Sequence, residues 1–231
     1  MKDSAILFGV SVGPGDPELM TIKAVKIIEQ TKVIAVPRTM GGNSRALAIV
    51  KEICDLQEKE LIYMDFLMSG DQYQCRDNYE RLADTLESYL EHGQNVAMIT
   101  LGDISVYSTA AYILKICQSD GYPVEWIPGV SSFQAAAARI GRPLVNGEES
   151  LIITNSTDNQ FEKLMQTGTN YVIMKSPLSR EEVAGRLNNS DRYEISAVTE
   201  CGTDREMIQR DSWMPAESGY FTTILCNRIE E

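Results

Sequence analysis

Three stretches of the sequence place glycine beside acidic or hydroxyl residues directly after short apolar runs. They are Gly13-Pro14-Gly15-Asp16-Pro17, Gly102-Asp103-Ile104-Ser105 and Pro128-Gly129-Val130-Ser131-Ser132. In an open parallel sheet, ligands bind beyond the carboxyl ends of the strands. Each stretch by itself also fits an ordinary turn or helix cap. Three of them at one edge of one sheet favour a ligand-binding site.

The first stretch matches neither of two common phosphate-binding motifs. Its glycines fall at positions 9, 13 and 15, which is not G-x-G-x-x-G, and no Gly-Lys-Ser/Thr follows. Pro14 also lacks the backbone N–H that a phosphate cradle uses. A nicotinamide-dependent oxidoreductase is therefore disfavoured.

Histidine and cysteine usage disfavours several other chemistries. The single histidine, His92, lies in a polar stretch and is predicted to sit at a helix C-terminus rather than to act as a base or ligand. The five cysteines, at positions 54, 75, 117, 201 and 226, form no C-x-x-C pair. This spacing predicts free thiols and no metal site. A catalytic triad or a multi-histidine metal centre is not expected.

The composition is that of a globular protein, with 231 residues, of which 43% are apolar and 23% charged. The formal net charge of −12 argues against binding to nucleic acid, which needs clustered positive charge. The longest run without Asp, Glu, Lys or Arg, residues 126–138, is shorter than the roughly 20 residues of a transmembrane helix. We expect a cytoplasmic protein with no membrane contact.

The first half of the chain alternates apolar runs with helical periodicity. Strands are predicted at Ala5–Val12, Val33–Val36, Leu61–Met64, Val96–Leu101 and Val124–Ile127. A helix is predicted to begin at Asp16-Pro17, with Leu19, Ile22, Val25 and Ile28 on its apolar face, and another spans Arg76–Glu91. This alternation predicts a mainly parallel five-stranded sheet with helices on both faces.

After Pro128-Gly129 the pattern changes. A small-residue helix at Phe133–Arg139 precedes strands near Leu151–Thr154, Tyr171–Met174 and Ile195–Thr199, and a helix opens with the capping box Ser179–Glu182. The end of the chain, with Glu206–Gln209 and Tyr220–Cys226, is typical of β-structure. We predict two α/β domains, 1–129 and 130–231, the second with a mixed sheet.

The run from Gly9 to Ala24, Gly-Val-Ser-Val-Gly-Pro-Gly-Asp-Pro-Glu-Leu-Met-Thr-Ile-Lys-Ala, resembles the signature of the tetrapyrrole methyltransferases of cobalamin and sirohaem synthesis. The resemblance extends from Leu7 to Leu225. Four further stretches are similar to the branch that methylates carbon 20 of precorrin-2 or cobalt-factor II: Gly102–Thr109, Pro128–Ala138, Ile140–Leu144 and Tyr220–Leu225. The sequence departs from that branch at Ile104, where proline is usual.

The resemblance implies an enzyme that binds S-adenosylmethionine in a cleft between its two domains. The residues that it assigns to the cofactor are Pro14, Leu101, Gly102, Asp103, Val106, Ser131, Ser132, Met174 and Gly202. The methyl group is already activated, so close approach in a dry site does most of the catalytic work and no general base is assigned. The resemblance also implies a homodimer.

A tetrapyrrole substrate carries several carboxylates, and basic side chains near strand ends or domain junctions are candidates to bind them. These are Arg38, Arg139, Arg142, Lys175 and Arg180. Two alternatives stay open at this point. One is methylation of another tetrapyrrole carbon or of uroporphyrinogen III, and the other is a non-catalytic module that binds S-adenosylmethionine or a tetrapyrrole.

Overall fold

The structure is a computed structural model that describes residues 5–39, 42–67, 71–156, 160–176, 178–187, 190–210 and 219–229. The chain divides into two compact units, Met1–Ser131 and Ser132–Glu231. That the chain forms two separate domains with a boundary near residue 129 stays a prediction.

The first unit is built on a five-stranded parallel sheet, as predicted. Its strands are β1 (Leu7–Ser11), β2 (Val33–Thr39), β3 (Glu60–Phe66), β4 (Val96–Thr100) and β5 (Val124–Ile127), in the order β3-β2-β4-β1-β5. Strand β1 pairs in parallel with β4 on one side and with β5 on the other. The carboxyl ends of these three strands therefore lie next to one another.

Helices cover both faces of this sheet. They are α1 (Ile22–Gln30), α2 (Arg45–Ile53), α3 (Gln72–Glu91) and α4 (Ala110–Ser119). Side chains alternate along β4, so that Val96 and Met98 pack with the apolar faces of α3 and α4, whereas Ala97 and Ile99 pack with α1 and α2. The helix predicted at Arg76–Glu91 is present but begins earlier, at Gln72, and His92 is its C-cap.

The predicted first helix is wrong in its start and in one face residue. Asp16 caps a 3₁₀ turn, Pro17–Leu19, and the α-helix begins afterwards because Thr21 is a second N-cap whose hydroxyl accepts from the Ala24 N–H. The interruption rotates the apolar face. Ile22, predicted to be buried, is consequently 76% exposed.

The second unit contains a mixed five-stranded sheet, as predicted. Its strands are β6 (Leu151–Asn155), β7 (Asn170–Met174), β8 (Tyr193–Thr199), β9 (Met207–Gln209) and β10 (Thr222–Arg228), in the order β6-β7-β10-β8-β9. Its helices are α5 (Ser132–Ile140), α6 (Phe161–Leu164) and α7 (Arg180–Arg186), and a 3₁₀ turn spans Ser190–Arg192. The capping box at the start of α7 is confirmed.

Strand β10 is antiparallel to both β7 and β8. The carboxyl ends of β7 and β8 therefore flank the start of β10 at one edge of the sheet. In the described part of the chain, no helix is both long enough and apolar enough to cross a membrane.

Candidate functional site

The loops after β1 and β4 are joined directly through their backbones. Gly13 and Gly102 form an isolated antiparallel bridge, in which Gly102 N donates to Gly13 O at 2.7 Å and Gly13 N donates to Gly102 O at 3.2 Å. Pro14 follows Gly13, so the structure brings Pro14 and Gly102 of the sequence-predicted site together. Gly102 has φ +72°, a conformation that glycine adopts without steric cost.

Asp103 connects the β4 loop to the β5 loop. Its Oδ2 accepts the Gly129 N–H at 2.7 Å, and its Oδ1 accepts the Ser105 N–H at 2.8 Å and also the Ser105 hydroxyl. A carboxylate offers about four acceptor positions, so one position on Asp103 stays available to a ligand donor. The side chain is half-buried.

Ser11, the last residue of β1, forms a hydrogen bond with the loop after β4. Its side chain is fully buried, at 0% exposure, and its Oγ accepts the Ile104 N–H at 2.9 Å. A proline at position 104, which the resemblance leads one to expect, has no N–H to donate. Isoleucine in place of proline at position 104 therefore allows the hydrogen bond to Ser11.

Gly129 packs against these residues at a distance that excludes any side chain. A Cβ atom at position 129 would lie 2.5 Å from Ser11 Cβ and 2.8 Å from Gly102 O. The need for glycine here is one of space, since its φ is not in the left-handed region. Strand ends β1, β4 and β5 therefore meet in one close-packed arrangement.

The rest of the β4 loop folds back on itself. Val106 N donates to Asp103 O at 3.2 Å, and the hydroxyls of Thr100 and Ser108 lie 3.0 Å apart. Tyr107 has φ +48°, which is uncommon for a residue with a bulky side chain. Strained conformations of this kind are enriched at ligand sites.

All the candidate cofactor residues of the first unit lie in or beside these loops, at the end of the sheet. They are Pro14, Leu101, Gly102, Asp103 and Val106, which are all half-buried, and Ser131, which is buried. The structure places them where the sequence predicts. That they contact a cofactor stays a prediction.

The candidates of the second unit are also brought to one edge of their own sheet. Met174 ends β7 and pairs with Thr223 of β10, whose hydroxyl donates to Ser132 Oγ at 3.2 Å. Thr199 ends β8 and pairs with Thr222. These contacts place Ser132 and Met174 beside the start of β10.

Left-handed residues follow both of those strands. Lys175 after β7 has φ +54°, and Glu200 after β8 has φ +53°. Gly202, φ +79°, donates its N–H to Glu206 Oε2 at 2.7 Å, and the same oxygen is 3.1 Å from Arg139 Nε. Gly202 thus lies in a tight turn at the end of β8.

Arg38 and Arg142, like Arg139, already have acidic partners. Arg38 makes a two-pronged contact with Asp65 on the neighbouring strand, with Nε–Oδ1 at 2.7 Å and Nη2–Oδ2 at 2.9 Å, and its guanidinium lies 4.5 Å from the centre of the Tyr63 ring. The hydrogen bond to Asp65 raises the pKa of Arg38 above its ordinary value. Arg142 pairs with Glu194.

The remaining cationic candidates are less uniform. Lys175 Nζ lies 5.0 Å from the centre of the Tyr220 ring, and Arg139 pairs with Glu206 as described above. The side chain of Arg180 lies outside the described residues. Arg38 belongs to the first unit, and Arg139, Arg142 and Lys175 belong to the second. The role of the five candidates in substrate binding stays a prediction.

Sequence reasoning does not identify Ser11 as a residue near the site, because Ser11 lies inside a predicted strand, where it is expected to belong to the core. For Gly129, the sequence indicates only that it belongs to a stretch at the end of a strand. The proline before it and the hydroxyl pair after it were the available signals, but the close approach to Ser11 depends on residues more than a hundred positions apart.

Comparison with known proteins gives one family. The sequence profile of the Tetrapyrrole (Corrin/Porphyrin) Methylases matches residues 7–213.

Three curated relatives cover most of this chain. A Methanocaldococcus jannaschii protein named "Probable cobalt-precorrin-2 C(20)-methyltransferase" is 32% identical over 87% of this chain and 85% of its own. The cobalt-precorrin-2 C(20)-methyltransferase of Salmonella typhimurium is 30% identical over 96% of each chain. The precorrin-2 C(20)-methyltransferase of a Sinorhizobium species is 30% identical over 95% of this chain and 94% of its own.

Solved structures share the fold at lower identity. A cobalt precorrin-4 methyltransferase of cobalamin biosynthesis has a TM-score of 0.74 at 18% identity, covering 96% of this chain and 94% of its own. A uroporphyrin-III C-methyltransferase from Thermus thermophilus, in complex with S-adenosylhomocysteine, has a TM-score of 0.67 at 18% identity, covering 96% and 97%.

Proposed function

The chain belongs to the tetrapyrrole (corrin/porphyrin) methylase family, and we propose that it transfers a methyl group from S-adenosylmethionine to carbon 20 of precorrin-2 or of its cobalt complex. The observation that carries this proposal is the similarity to three relatives named for that reaction, each over 87% or more of this chain. It agrees with the branch to which the sequence motifs were assigned.

The loops at the ends of β1, β4 and β5 fit the proposed cofactor. A Cβ at Gly102 would meet no described atom within 4 Å, so the backbone there is open to a ligand. Asp103 keeps an acceptor position for a hydroxyl or ammonium donor, and S-adenosylmethionine carries both kinds of group. We propose that Pro14, Leu101, Gly102, Asp103, Val106 and Ser131 bind the cofactor from the first unit, and that Ser132, Met174 and Gly202 bind it from the second. The expected cleft between two domains stays a prediction.

S-adenosylmethionine supplies an electrophilic methyl group on a sulfonium ion. The task left to the chain is to hold the ligands close together and to exclude water, because a reacting carbon positioned at about 3–3.5 Å gains most of the available acceleration. The fixed loop around Gly102 and Asp103 suits that task, since its backbone is tied at both ends. No residue is assigned as the base that takes the proton from carbon 20.

We propose that arginine and lysine side chains at strand ends bind the carboxylates of the substrate. Arg38 is the strongest of these candidates because the guanidinium has five donors and Asp65 uses only two of its N–H groups. Asp65 and Tyr63 hold the group in one orientation, which lowers the entropy lost when a carboxylate binds. The metal state of the substrate is left open, since relatives carry both names.

The proposal is tested by incubating the protein with S-adenosylmethionine and either precorrin-2 or its cobalt complex. Formation of S-adenosylhomocysteine together with a singly methylated tetrapyrrole supports the proposal, and NMR of the product locates the methyl group. A methyl group on another carbon would favour the alternative within the family. Cofactor binding without turnover on either substrate would favour a non-catalytic binding module.

We also propose that the protein is a cytoplasmic homodimer. The support is family resemblance alone, because Ala135, Ala136 and Ala137 of the small-residue helix α5 are already buried in the single chain. Light scattering at micromolar concentration should give twice the chain mass of 25.7 kDa. A mass equal to one chain would contradict the dimer.

A further inference from the structure

Residues Leu7, Gly9 and Ser11 of β1 face the same side of the first sheet, because side chains alternate along a strand. At Gly9 a Cβ would lie 2.2 Å from Leu114 Cδ2 and 2.5 Å from Ile104 Cδ1, so the side chains of Leu114 and Ile104 together occupy the space above that glycine. Two positions later, Ser11 accepts the backbone N–H of the same residue. Ile104, which is 1% exposed, is therefore fixed by β1 both through its side chain and through its backbone.

Ile104 directly follows the Gly102-Asp103 turn in the sequence. Two further contacts hold this turn, one through the Gly102 backbone and one through the Asp103 carboxylate. Gly102 is paired with Gly13 beyond the end of β1, and Asp103 accepts the Gly129 N–H. At Gly129, the nearest atom to a built Cβ is Ser11 Cβ, and the next is Gly102 O. Ser11 therefore touches this arrangement twice, through its hydroxyl and through its Cβ.

We propose that Ser11 is a positioning residue for the cofactor loop: its hydroxyl and the bare backbone of Gly129 together set where the Gly102-Asp103 turn stands. This inference rests on the proposed function, because it assumes that the turn binds S-adenosylmethionine. Ser11 itself is fully buried and does not touch the ligand. Its effect is to keep the free protein in the arrangement that binds.

The physical consequence is a change in apparent affinity. When Ser11 becomes alanine, the buried Ile104 N–H loses its acceptor, and the turn is free to adopt arrangements that let this group reach water. Apparent affinity falls in proportion to the fraction of molecules that keep the binding arrangement. A bond of ordinary strength predicts a rise in the dissociation constant of about ten-fold.

The chain offers a matched control at the other end of the same strand. Asn95 Oδ1 accepts the Ile6 N–H at 2.8 Å, so Asn95 also ties the start of β1 to β4 through one side-chain acceptor. Asn95→Ala removes a bond of similar length, although an exposed one, at the edge of the sheet opposite to the strand ends. We expect it to change the affinity by less than about two-fold, whatever it does to stability.

The experiment measures the dissociation constant of S-adenosylhomocysteine by calorimetry for the wild type, Ser11→Ala and Asn95→Ala. Amide hydrogen exchange follows Ile104 and Gly129 in the same proteins. Faster exchange at both amides with weaker binding in Ser11→Ala, and neither change in Asn95→Ala, supports the proposal. Ser11→Cys keeps a side chain of the same shape, with a somewhat larger sulfur that is a weak acceptor, so it should bind more weakly than wild type even if the alanine variant folds poorly.

The two possible failures are distinguishable. A wild-type protein that does not bind S-adenosylhomocysteine refutes the proposed function. A wild-type protein that binds it, with equal affinity in Ser11→Ala and Ser11→Cys, overturns the positioning role and leaves the proposed function standing.

Discussion

Replacing Asp103 by alanine removes the carboxylate that joins the loops after β4 and β5. The bond from Gly129 N to Oδ2 is 2.7 Å long and part-buried, whereas the bonds from Ser105 are local and exposed. Counting only the first, a hydrogen bond to a charged group contributes about 1.5–3 kcal/mol. The melting temperature should therefore fall by roughly 3–12 °C, at about 2–4 °C per kcal/mol for a chain of this size.

The same substitution should weaken the binding of S-adenosylhomocysteine by about ten- to hundred-fold, because the loop is released and a ligand acceptor is lost. Asp103→Asn keeps one neutral acceptor, so it should lose about ten-fold or less. Calorimetry gives the affinities, and circular dichroism gives the melting temperatures.

Asp55→Ala is a suitable control for the loss of a turn carboxylate. Asp55 Oδ1 accepts the Gln57 N–H at 2.9 Å in the connection before β3, at the amino end of the sheet. Asp55→Ala should leave the affinity for S-adenosylhomocysteine unchanged. If Asp103→Ala melted lower but bound the ligand as tightly as wild type, Asp103 would be a structural cap and its assignment to the site would be wrong.

Three further predictions follow from particular contacts. Gly102→Ala and Gly121→Ala both force alanine into a left-handed conformation, with φ +72° and +91°, which costs about 1–2 kcal/mol of stability each. Only Gly102→Ala should weaken cofactor binding in calorimetry. Equal affinities of the two variants would exclude the Gly102 backbone from the site. Arg38→Ala should raise KM for the tetrapyrrole without changing cofactor affinity. Arg38→Lys should restore little of the substrate affinity, because an ammonium cannot make the two-pronged contact. An unchanged KM would remove Arg38 from the substrate site. Burial, and then the Asp120 carboxylate, raises the pKa of Glu87, so the stability associated with its protonated form is present below about pH 4 and is lost as pH rises through the raised pKa. Glu87→Gln should therefore raise the melting temperature at pH 8 more than at pH 4, and an equal shift at both pH values would contradict this assignment.

The parallel sheet of the first unit was predictable because its strands are short apolar runs and its helices have strong periodicity. Val124–Ile127 begins and ends where the sequence predicts, and the other strands differ by a few residues at their ends. The first helix was not predictable in detail. Asp16 and Thr21 are both good N-caps, and a periodic pattern that spans both gives no sign that the chain is extended at Met20 between them.

The candidate site was predictable in its location but not in its internal contacts. Residue types after strands β1, β4 and β5, together with the rule that ligands bind at this edge, lead to loops that the structure places next to one another. The partners within them are set by strand order and by close approach. Asp103 meets Gly129 across 26 positions, and Ser11 meets Ile104 across 93, so neither contact leaves a local signal.

The charge on the chain illustrates the same limit. A net charge of −12 gives no indication of a site for a substrate with several carboxylates. The structure shows that candidate cations such as Arg38 and Arg142 are already paired with acids, Asp65 of β3 and Glu194 of β8. Whether they also bind substrate is a matter for the KM measurements above.

The central claim is that this chain methylates carbon 20 of a reduced tetrapyrrole. The most direct test incubates the protein with precorrin-2, or its cobalt complex, and S-adenosylmethionine carrying a ¹³C-labelled methyl group, and then records the ¹³C NMR spectrum of the product. We expect one enriched methyl signal on carbon 20 and an equal amount of S-adenosylhomocysteine. An enriched methyl group on any other carbon, or no labelled tetrapyrrole with either substrate, would contradict it.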